Sequence, residues 1–387
     1  MVPIRYNIRS LIVRKVTTGA TALGIALVAF VFGASIMLED GVTRAMTTSG
    51  DPTNAIVLRN GSDNELSSRL DATVVGLLRE RPEVAPAAAG GDSVIGEVVV
   101  VVTAEVVGGT AISNVLVRGM PAAGMAFHGG RVVSGRMPTP GTAEALVGQG
   151  IAGRFKGLGV GQSFELRRNR PLTVVGVFSA GDSSYEAEVW ADVDALRTSI
   201  GREGSVSSAR VKLGAPSKLA SFKAALEADK RQGVKVMGER QYYKQASAGT
   251  AGFLRFLAKG FAYMFALAAM IGAAITMNGA FANRTREIGT LRALGFSRLA
   301  ILTSFVLEAM MLALAGGLIG VIFVFLMSLF TFPIMNFATF SEIIITFRAT
   351  PDVIIWSLVF SVVMGLVGGL IPAIRASRVS PVEAMRG

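Results

Sequence analysis

Few residues in this chain have the types and spacing that chemistry requires. The stretch DSSYEAEVWADVD, Asp182 to Asp194, is rich in carboxylates. Paired carboxylates can serve as acid and base. No His, Lys or metal-binding pattern accompanies them to divide those roles, so they read as the solvated face of an edge strand. The one histidine, His128, lies in AFHGGR and reads as a loop residue rather than a metal ligand. There is no cysteine, which excludes disulfides, thiolate metal sites and cysteine nucleophiles. KGLGVGQS, Lys156 to Ser163, has the glycines of a phosphate loop but lacks the Lys-Ser/Thr ending and leads into a strand. A hairpin turn fits it better. Two charged features remain. One is NRTREIGTLRALGFSR, Asn283 to Arg298, with five charges between two long apolar runs. The other is Glu308, a lone carboxylate inside an apolar run.

The apolar runs are the elements that must position both. The chain has 387 residues, 51% of them hydrophobic, and a net charge of +11. Its mean hydropathy is +0.53, which points away from an ordinary soluble enzyme. A spanning helix needs roughly 20 apolar residues. Four windows qualify, and the expected spans are residues 16–38, 253–282, 298–332 and 352–374. The first follows a basic stretch, RYNIRSLIVRK, as a signal peptide would. Its apolar core exceeds the usual ~7–15 residues and no small-x-small site closes it, so an uncleaved anchor is expected.

Lys and Arg gather on the cytoplasmic side of short loops. Arg5, Arg9, Arg14 and Lys15 precede the first span; Arg284, Arg286, Arg292 and Arg298 separate the second from the third; Arg375, Arg378 and Arg386 follow the fourth. All fall on one face of a four-span chain. The charge pattern therefore puts residues 1–15, 283–297 and 375–387 in the cytoplasm, and residues 39–252 and 333–351 outside. Arg255 and Lys259 dissent, abutting the second span on the outer side. The positive charge sits at membrane edges, which excludes a nucleic-acid partner.

Residues 39–252 read as a large α+β domain. NAIVLRN, VIGEVVVVVTAEV, ISNVLVRGM, QSFELRR, PLTVVGVFS, SARVKL and VKVMGER carry strand signals. ELSSRLDATVVGLLRERPEV places Leu66, Leu70, Val74, Leu77 and Leu78 at helical spacing. SKLASFKAALEADKRQG also reads as a helix, and with its flanking strands as half of a small α+β sandwich.

In Asn283 to Arg298, Asn283 can cap a helix and Glu287 suits its positive end. Ile288, Leu291 and Leu294 form one apolar stripe. Gly295 permits the left-handed turn that ends a helix, with Phe296 set to pack back on Leu291. Ser297 can cap the next helix. A loop that only sets topology needs none of these features, so a protein-docking helix is favoured. Glu308 costs roughly 2.5–3.5 kcal/mol in hydrocarbon and should bond to neighbouring helices near the cytoplasmic interface; a binding or relay role is the other reading. Small residues four apart, Ala29/Gly33, Ala269/Ala273, Ala313/Gly317, Gly316/Gly320 and Gly365/Gly369, allow close helix approach.

REIGTLRALGFSRLAILTSFVLEAMMLALAGGLIG resembles the signature of the FtsX-like ABC permeases of the MacB and LolC/LolE type. IPAIRASRVSPVEAMRG resembles their C-terminal P-A-x-R-A-x-x-x-x-P-x-E-A-L-R pattern, with Met385 in the Leu place. GRMPTPGTAEALVGQGIAGRF, GLGVGQSFEL and LTVVGVF resemble the MacB-type periplasmic core. The resemblance implies a non-catalytic permease subunit in the bacterial inner membrane. It implies pairing with a second permease chain, with the first two spans at the seam, and docking of two ATPase subunits. The coupling helix would comprise Arg286, Glu287, Ile288, Gly289, Leu291, Arg292, Leu294 and Gly295. Further ATPase contacts would fall on Arg375, Arg378, Pro381 and Glu383. No G-x-x-x-x-G-K-[ST] occurs, so ATP and Mg would be bound by a partner ATPase, and this chain would need no cofactor. ATP-driven motion would pass through the membrane to the outer domain, for export, extraction or release of a lipophilic or envelope substrate. A periplasmic adaptor stays open, and membrane lipid surrounds the spans. The alternatives are a membrane sensor without transport, for which no cytoplasmic output domain is large enough, and a membrane-embedded enzyme, for which no intramembrane catalytic set exists.

Overall fold

The computed structural model describes the chain except for residues 1–8, 10, 14, 88–90, 182, 283, 336–340 and 379–387. Arg5, Arg14, Asp182, the expected cap Asn283, Pro381, Glu383, Met385 and Arg386 therefore lie outside the described residues. Two compact units emerge: Met1–Asp40 with Phe253–Phe330 and Phe347–Gly387, and Gly41–Gly252 with Thr331–Thr346.

In chain order the elements are α1 (Lys15–Thr47), β1 (Asn54–Arg59), β2 (Leu70–Asp71), α2 (Thr73–Arg79), β3 (Val94–Glu105), β4 (Ile112–Met120), α3 (Gly124–Phe127), β5 (Arg131–Gly135) and β6 (Glu144–Gly148). There follow β7 (Ser163–Arg167), β8 (Arg170–Ser179), β9 (Glu188–Asp192), α4 (Val193–Ile200), β10 (Ser205–Val206), β11 (Ser208–Lys212), α5 (Leu219–Ala228) and β12 (Val234–Gly238). The chain closes with α6 (Glu239–Ala282), α7 (Thr285–Ala293), α8 (Arg298–Met327), β13 (Thr331–Met335), β14 (Glu342–Thr346) and α9 (Pro351–Ser377).

The helical unit rests on α1, α6, α8 and α9, among the described residues the 4 helices long and apolar enough to cross a membrane. A helix satisfies its own backbone hydrogen bonds, which hydrocarbon cannot do for it. Starts are encoded locally. Ser297 Oγ accepts from Ala300 N at 3.2 Å to open α8, and Thr350 Oγ1 accepts from Val353 N at 3.5 Å to open α9. The small residues let backbones meet: a Cβ on Gly316 or Gly320 would lie 2.7 Å from the carbonyl oxygen of Ala22 or Ala26. Arg255, one of the two basic residues that dissent from the charge pattern, pairs with Glu39 at 2.8 Å.

The other unit is built on one ten-stranded sheet in the order β12-β1-β11-β3-β4-β9-β6-β8-β5, with β7 paired to β8. Pairings are antiparallel except β4 with β9 and β6 with β8. Strand periodicity sorts the core into two faces. Ala55 and Val57 join Val98, Val117, Val147, Val174 and Val211 on one; Ile56 and Leu58 join Leu146, Phe178 and Trp190 on the other. The near-continuous apolar strands are thus buried on both sides.

Several expectations are corrected. The stretch from Glu65 is no single helix: Leu70–Asp71 is a strand, and α2 starts only at Thr73. The cause is local, since Asp71 Oδ1 accepts from Thr73 N at 2.9 Å and from its hydroxyl, a turn that competes with helix. Lys156–Ser163 is a turn but joins no two paired strands; the hairpin lies at Asn169, φ 62°, between β7 and β8. Helix bounds also differ from their expected windows, with α1 and α6 longer and α8 shorter. α1 runs on to Thr47, α6 begins at Glu239, α8 ends at Met327, and the segment after it forms the hairpin β13–β14. Glu342 of that hairpin pairs with Arg154 at 2.8 Å.

Candidate functional site

The segment between the second and third long helices folds as a closed unit. α7 begins at Thr285, with Arg284 at the cap position making no side-chain cap bond. Its far end closes as expected: Gly295 has φ +92°, Phe296 N donates to Leu291 O at 3.1 Å, and Gly295 N donates to Arg292 O at 3.1 Å. Arg292 turns back and donates to Phe296 O at 3.3 Å, so this guanidinium helps shut the helix end. Gly295→Val should strain that left-handed residue by about 1–2 kcal/mol. The Phe296 amide is then expected to exchange with solvent about tenfold faster, read by hydrogen exchange, while the large domain's amides stay unchanged.

The expected apolar stripe does not all face one way. Ile288 is 2% exposed and packs with Met277, Phe305, Ala373 and Ala376, so it fastens α7 to α6, α8 and α9. Gly289 is buried beside it and Leu291 is half-buried. Leu294 is 73% exposed. The open face of α7 is therefore Arg286, Glu287, Thr290, Ala293 and Leu294. Arg375 and Arg378 are exposed near the end of α9, whose Ala373 and Ala376 touch Ile288. The structure thus brings Arg375 and Arg378 to the same end of the bundle as α7.

Glu308 is buried, and its partner is Arg284: Nη1 donates to Oε2 at 2.9 Å. The same guanidinium reaches Glu287 at 3.4 Å and lies 5.5 Å over the Phe305 ring. Sequence reasoning counted Arg284 only as topological charge. The available signal was an isolated acid in an apolar span that requires a cation within reach.

The large domain holds a second missed set. Arg118 and Arg210 are fully buried among Glu65, Glu97, Glu188 and Glu239. Arg118 grips Glu188 with Nε at 2.8 Å and Nη2 at 2.9 Å, and Nη1 reaches Glu97 at 2.7 Å and Glu65 at 3.0 Å. Arg210 bonds Glu65 at 3.0 Å, pairs with Glu97 at 3.3 Å, and bonds Glu239. His128 lies in the turn after α3, as expected of a loop residue, but its side chain is buried: it is 2% exposed, its Nε2 bonds Glu97, and its ring lies 4.6 Å from that of Tyr185. Glu188 belongs to the acidic stretch read as a solvated edge. That reading is wrong, because β9 runs between β4 and β6 and Arg118 on β4 demands a counter-charge there. Burial pushes the Glu97 carboxyl up, but His128, Arg118 and Arg210 outweigh it and hold it well below the usual carboxylate range. Glu65 follows the same balance: burial raises it, and Arg118 and Arg210 pull it below its ordinary value. Among the described residues, no three acidic or histidine side chains are placed to hold a metal ion. The carboxylates are engaged by guanidinium groups, which is a structural use.

The comparisons agree with this division. A model of the MacB-like periplasmic core domain matches residues 16–229, and one of the FtsX-like permease C-terminal region matches residues 259–381. The ABC transporter permease YvrN of Bacillus subtilis is 36% identical over 108 residues, covering 27% of this chain and 23% of that protein. The macrolide export ATP-binding/permease protein MacB of Neisseria gonorrhoeae is 27% identical over 228 residues, 57% of this chain and 34% of that protein. The permease YknZ of Bacillus subtilis is 24% identical over 229 residues, 56% of this chain and 54% of that protein. The match thus spans between about a quarter and about half the length of these curated relatives. The crystal structure of the periplasmic region of MacB from Actinobacillus actinomycetemcomitans aligns with TM-score 0.37 at 14% identity, covering 52% of this chain and 94% of that one. With the core-domain model matching over half the residues, this chain belongs to the FtsX-like ABC transporter permeases that carry a MacB-like periplasmic core domain.

Proposed function

We propose that this chain is the membrane subunit of an ABC complex and that α7 is the helix that receives a separate ATPase. The observation that carries this reading is a surface helix fastened on one side and open on the other. Ile288 and the Arg284–Glu308 pair hold α7 to the bundle, while Arg286, Glu287 and Leu294 remain outward. A helix so anchored can pass a push into α6 and α8 instead of yielding to it. Arg375 and Arg378 extend the same surface, and Pro381 and Glu383, outside the described residues, are proposed as further ATPase contacts.

In this reading the chain sits in the inner membrane with both termini in the cytoplasm, pairs with a second permease chain, and engages two ATPase copies that bind ATP and Mg. The ATPases close on nucleotide, α7 moves with them, and the long helices carry the motion to the large domain. The work done there is export, extraction or release of a lipophilic or envelope substrate.

The test is the double charge reversal Arg286→Glu/Glu287→Lys in full-length chain co-expressed with the ABC ATPase encoded nearest to it. We expect the wild type to recover the ATPase on affinity purification and to alter its turnover in lipid nanodiscs. The reversal should cut recovery at least tenfold while the melting curve of the membrane subunit stays in place. Equal recovery by both proteins would remove α7 as the docking element.

A further inference from the structure

The large domain contains a cavity of about 730 Å³ where the start of β1, the end of β11 and the first residues of α6 converge. Two of its lining side chains are buried and unsatisfied. Asn54 is 5% exposed and Ser183 is 4% exposed. Asn54 Nδ2 donates to Glu239 Oε2 at 2.9 Å, and a carboxylate only accepts, so the orientation of this amide is fixed. Its Oδ1 is left buried with no hydrogen-bond partner, and Ser183 Oγ is in the same condition. Buried polar atoms in native proteins normally have partners. Two orphans on the wall of one cavity point to a ligand that completes them.

Charge decides the class. Lys212 and Arg240 line the cavity, but so do Asp51 and Glu239. Arg240 Nε is turned to Gly50 O at 3.2 Å, and Glu239 is occupied by Arg210, Asn54 and the Asp51 amide. An anion would confront two carboxylates and the lone pairs of Asn54 Oδ1. A cation would confront Lys212 and Arg240. A neutral molecule bearing hydroxyl donors suffers neither, and it supplies what Asn54 Oδ1 lacks. The cavity also exposes Phe127 and Tyr185, aromatic surface that suits the C–H face of a sugar ring.

We propose that this cavity is a binding site for a neutral saccharide unit, with Asn54 Oδ1 and Ser183 Oγ as its recognition contacts. The saccharide can come from a soluble glycan or from the head group of a glycolipid, and the two are separated by experiment. Full-length protein is placed in phosphatidylcholine nanodiscs and titrated calorimetrically with maltose, with N,N′-diacetylchitobiose and with sodium phosphate. In parallel, nanodiscs carrying glucosyl diacylglycerol are assayed for retained glycolipid by native mass spectrometry. Saturable binding of a soluble sugar assigns the free glycan, and retention of glycolipid alone assigns the head group; both support the site. Ser183 makes no bond that its replacement would break. Ser183→Ala should therefore leave the melting temperature unchanged and weaken the bound sugar about fivefold to tenfold, and Ser183→Phe should abolish binding. The proposal is overturned if no saccharide or glycolipid binds, if phosphate binds more tightly than the sugars, or if Ser183→Phe binds as the wild type does.

Discussion

Arg118→Met is expected to cost the large domain about 3–5 kcal/mol, because it removes the guanidinium and leaves the carboxylates it served buried. Methionine keeps the length and apolar stem, so the loss is charge and hydrogen bonding rather than volume. Arg210 remains, but it already bonds Glu65 and Glu239 and pairs with Glu97, and it cannot reproduce the two-pronged grip on Glu188. Arg118→Lys should not rescue, since one ammonium cannot donate along two parallel lines. Domains have roughly 5–15 kcal/mol in total, so this single change removes a large share. The measurement is built in: Trp190 Nε1 donates to Glu188 at 3.0 Å, so its fluorescence reports the network in a Trp356→Phe background. A urea midpoint equal to that of the wild type would show that the network is dispensable.

The pH dependence should weaken from the wild type to Arg118→Met. In the wild type Glu65 and Glu97 are held below their ordinary values by the guanidinium groups and His128. Groups depressed in the folded state stabilise it above the unfolded value, about 4.3 for glutamate, and that contribution fades as pH falls through the folded value. Wild-type stability is therefore expected to be flat from about pH 7 to about pH 5 and to decline below. In Arg118→Met, Glu65 loses the first of the charges that oppose its burial and keeps Arg210, while Glu97 keeps His128 and Arg210, so both carboxyls are held down less strongly than in the wild type. Their contribution above the unfolded value is then smaller, and less of it is left to lose as pH falls. The variant's deficit should thus be largest near pH 7 and shrink on acidification.

The parts of the molecule legible in its sequence were those encoded locally. The glycine at 295, the serine at 297 and the apolar windows each state their consequence within a few residues, and the Schellman closure and the α8 cap followed. Strands were legible for the same reason, because Val-rich runs bounded by Gly and Asn need no distant information. What was lost depends on partners far along the chain. Glu65 meets Arg210 across 145 positions, and Glu97 meets His128 across 31. No window contains both members, so the burial of His128 against Glu97 went unread and Glu188 passed for a solvated residue. The failed helix from Glu65 has another cause: its leucine spacing was helical, but Asp71 offered the backbone a competing bond.

Arg284→Met makes the second large effect, about 3–5 kcal/mol against the helical unit, because Glu308 then sits buried beside Phe305 without this guanidinium. Glu308 lies about ten residues into α8, roughly 15 Å from its start, where water cannot readily replace the lost charge. Replacing both partners, Arg284→Met/Glu308→Leu, should restore most of the stability, since a buried ion pair is often matched or exceeded by well-packed apolar residues. That double variant separates two roles of the pair. If Arg284 and Glu308 only hold the bundle together, the restored protein should also restore the ATPase response proposed above. If the pair fixes the angle at which α7 leaves α6, the double variant should melt like the wild type yet couple poorly. The second outcome is expected, because Arg284 stands at the cap of α7 and reaches Glu287 as well as Glu308, so it sets where the open face of that helix points.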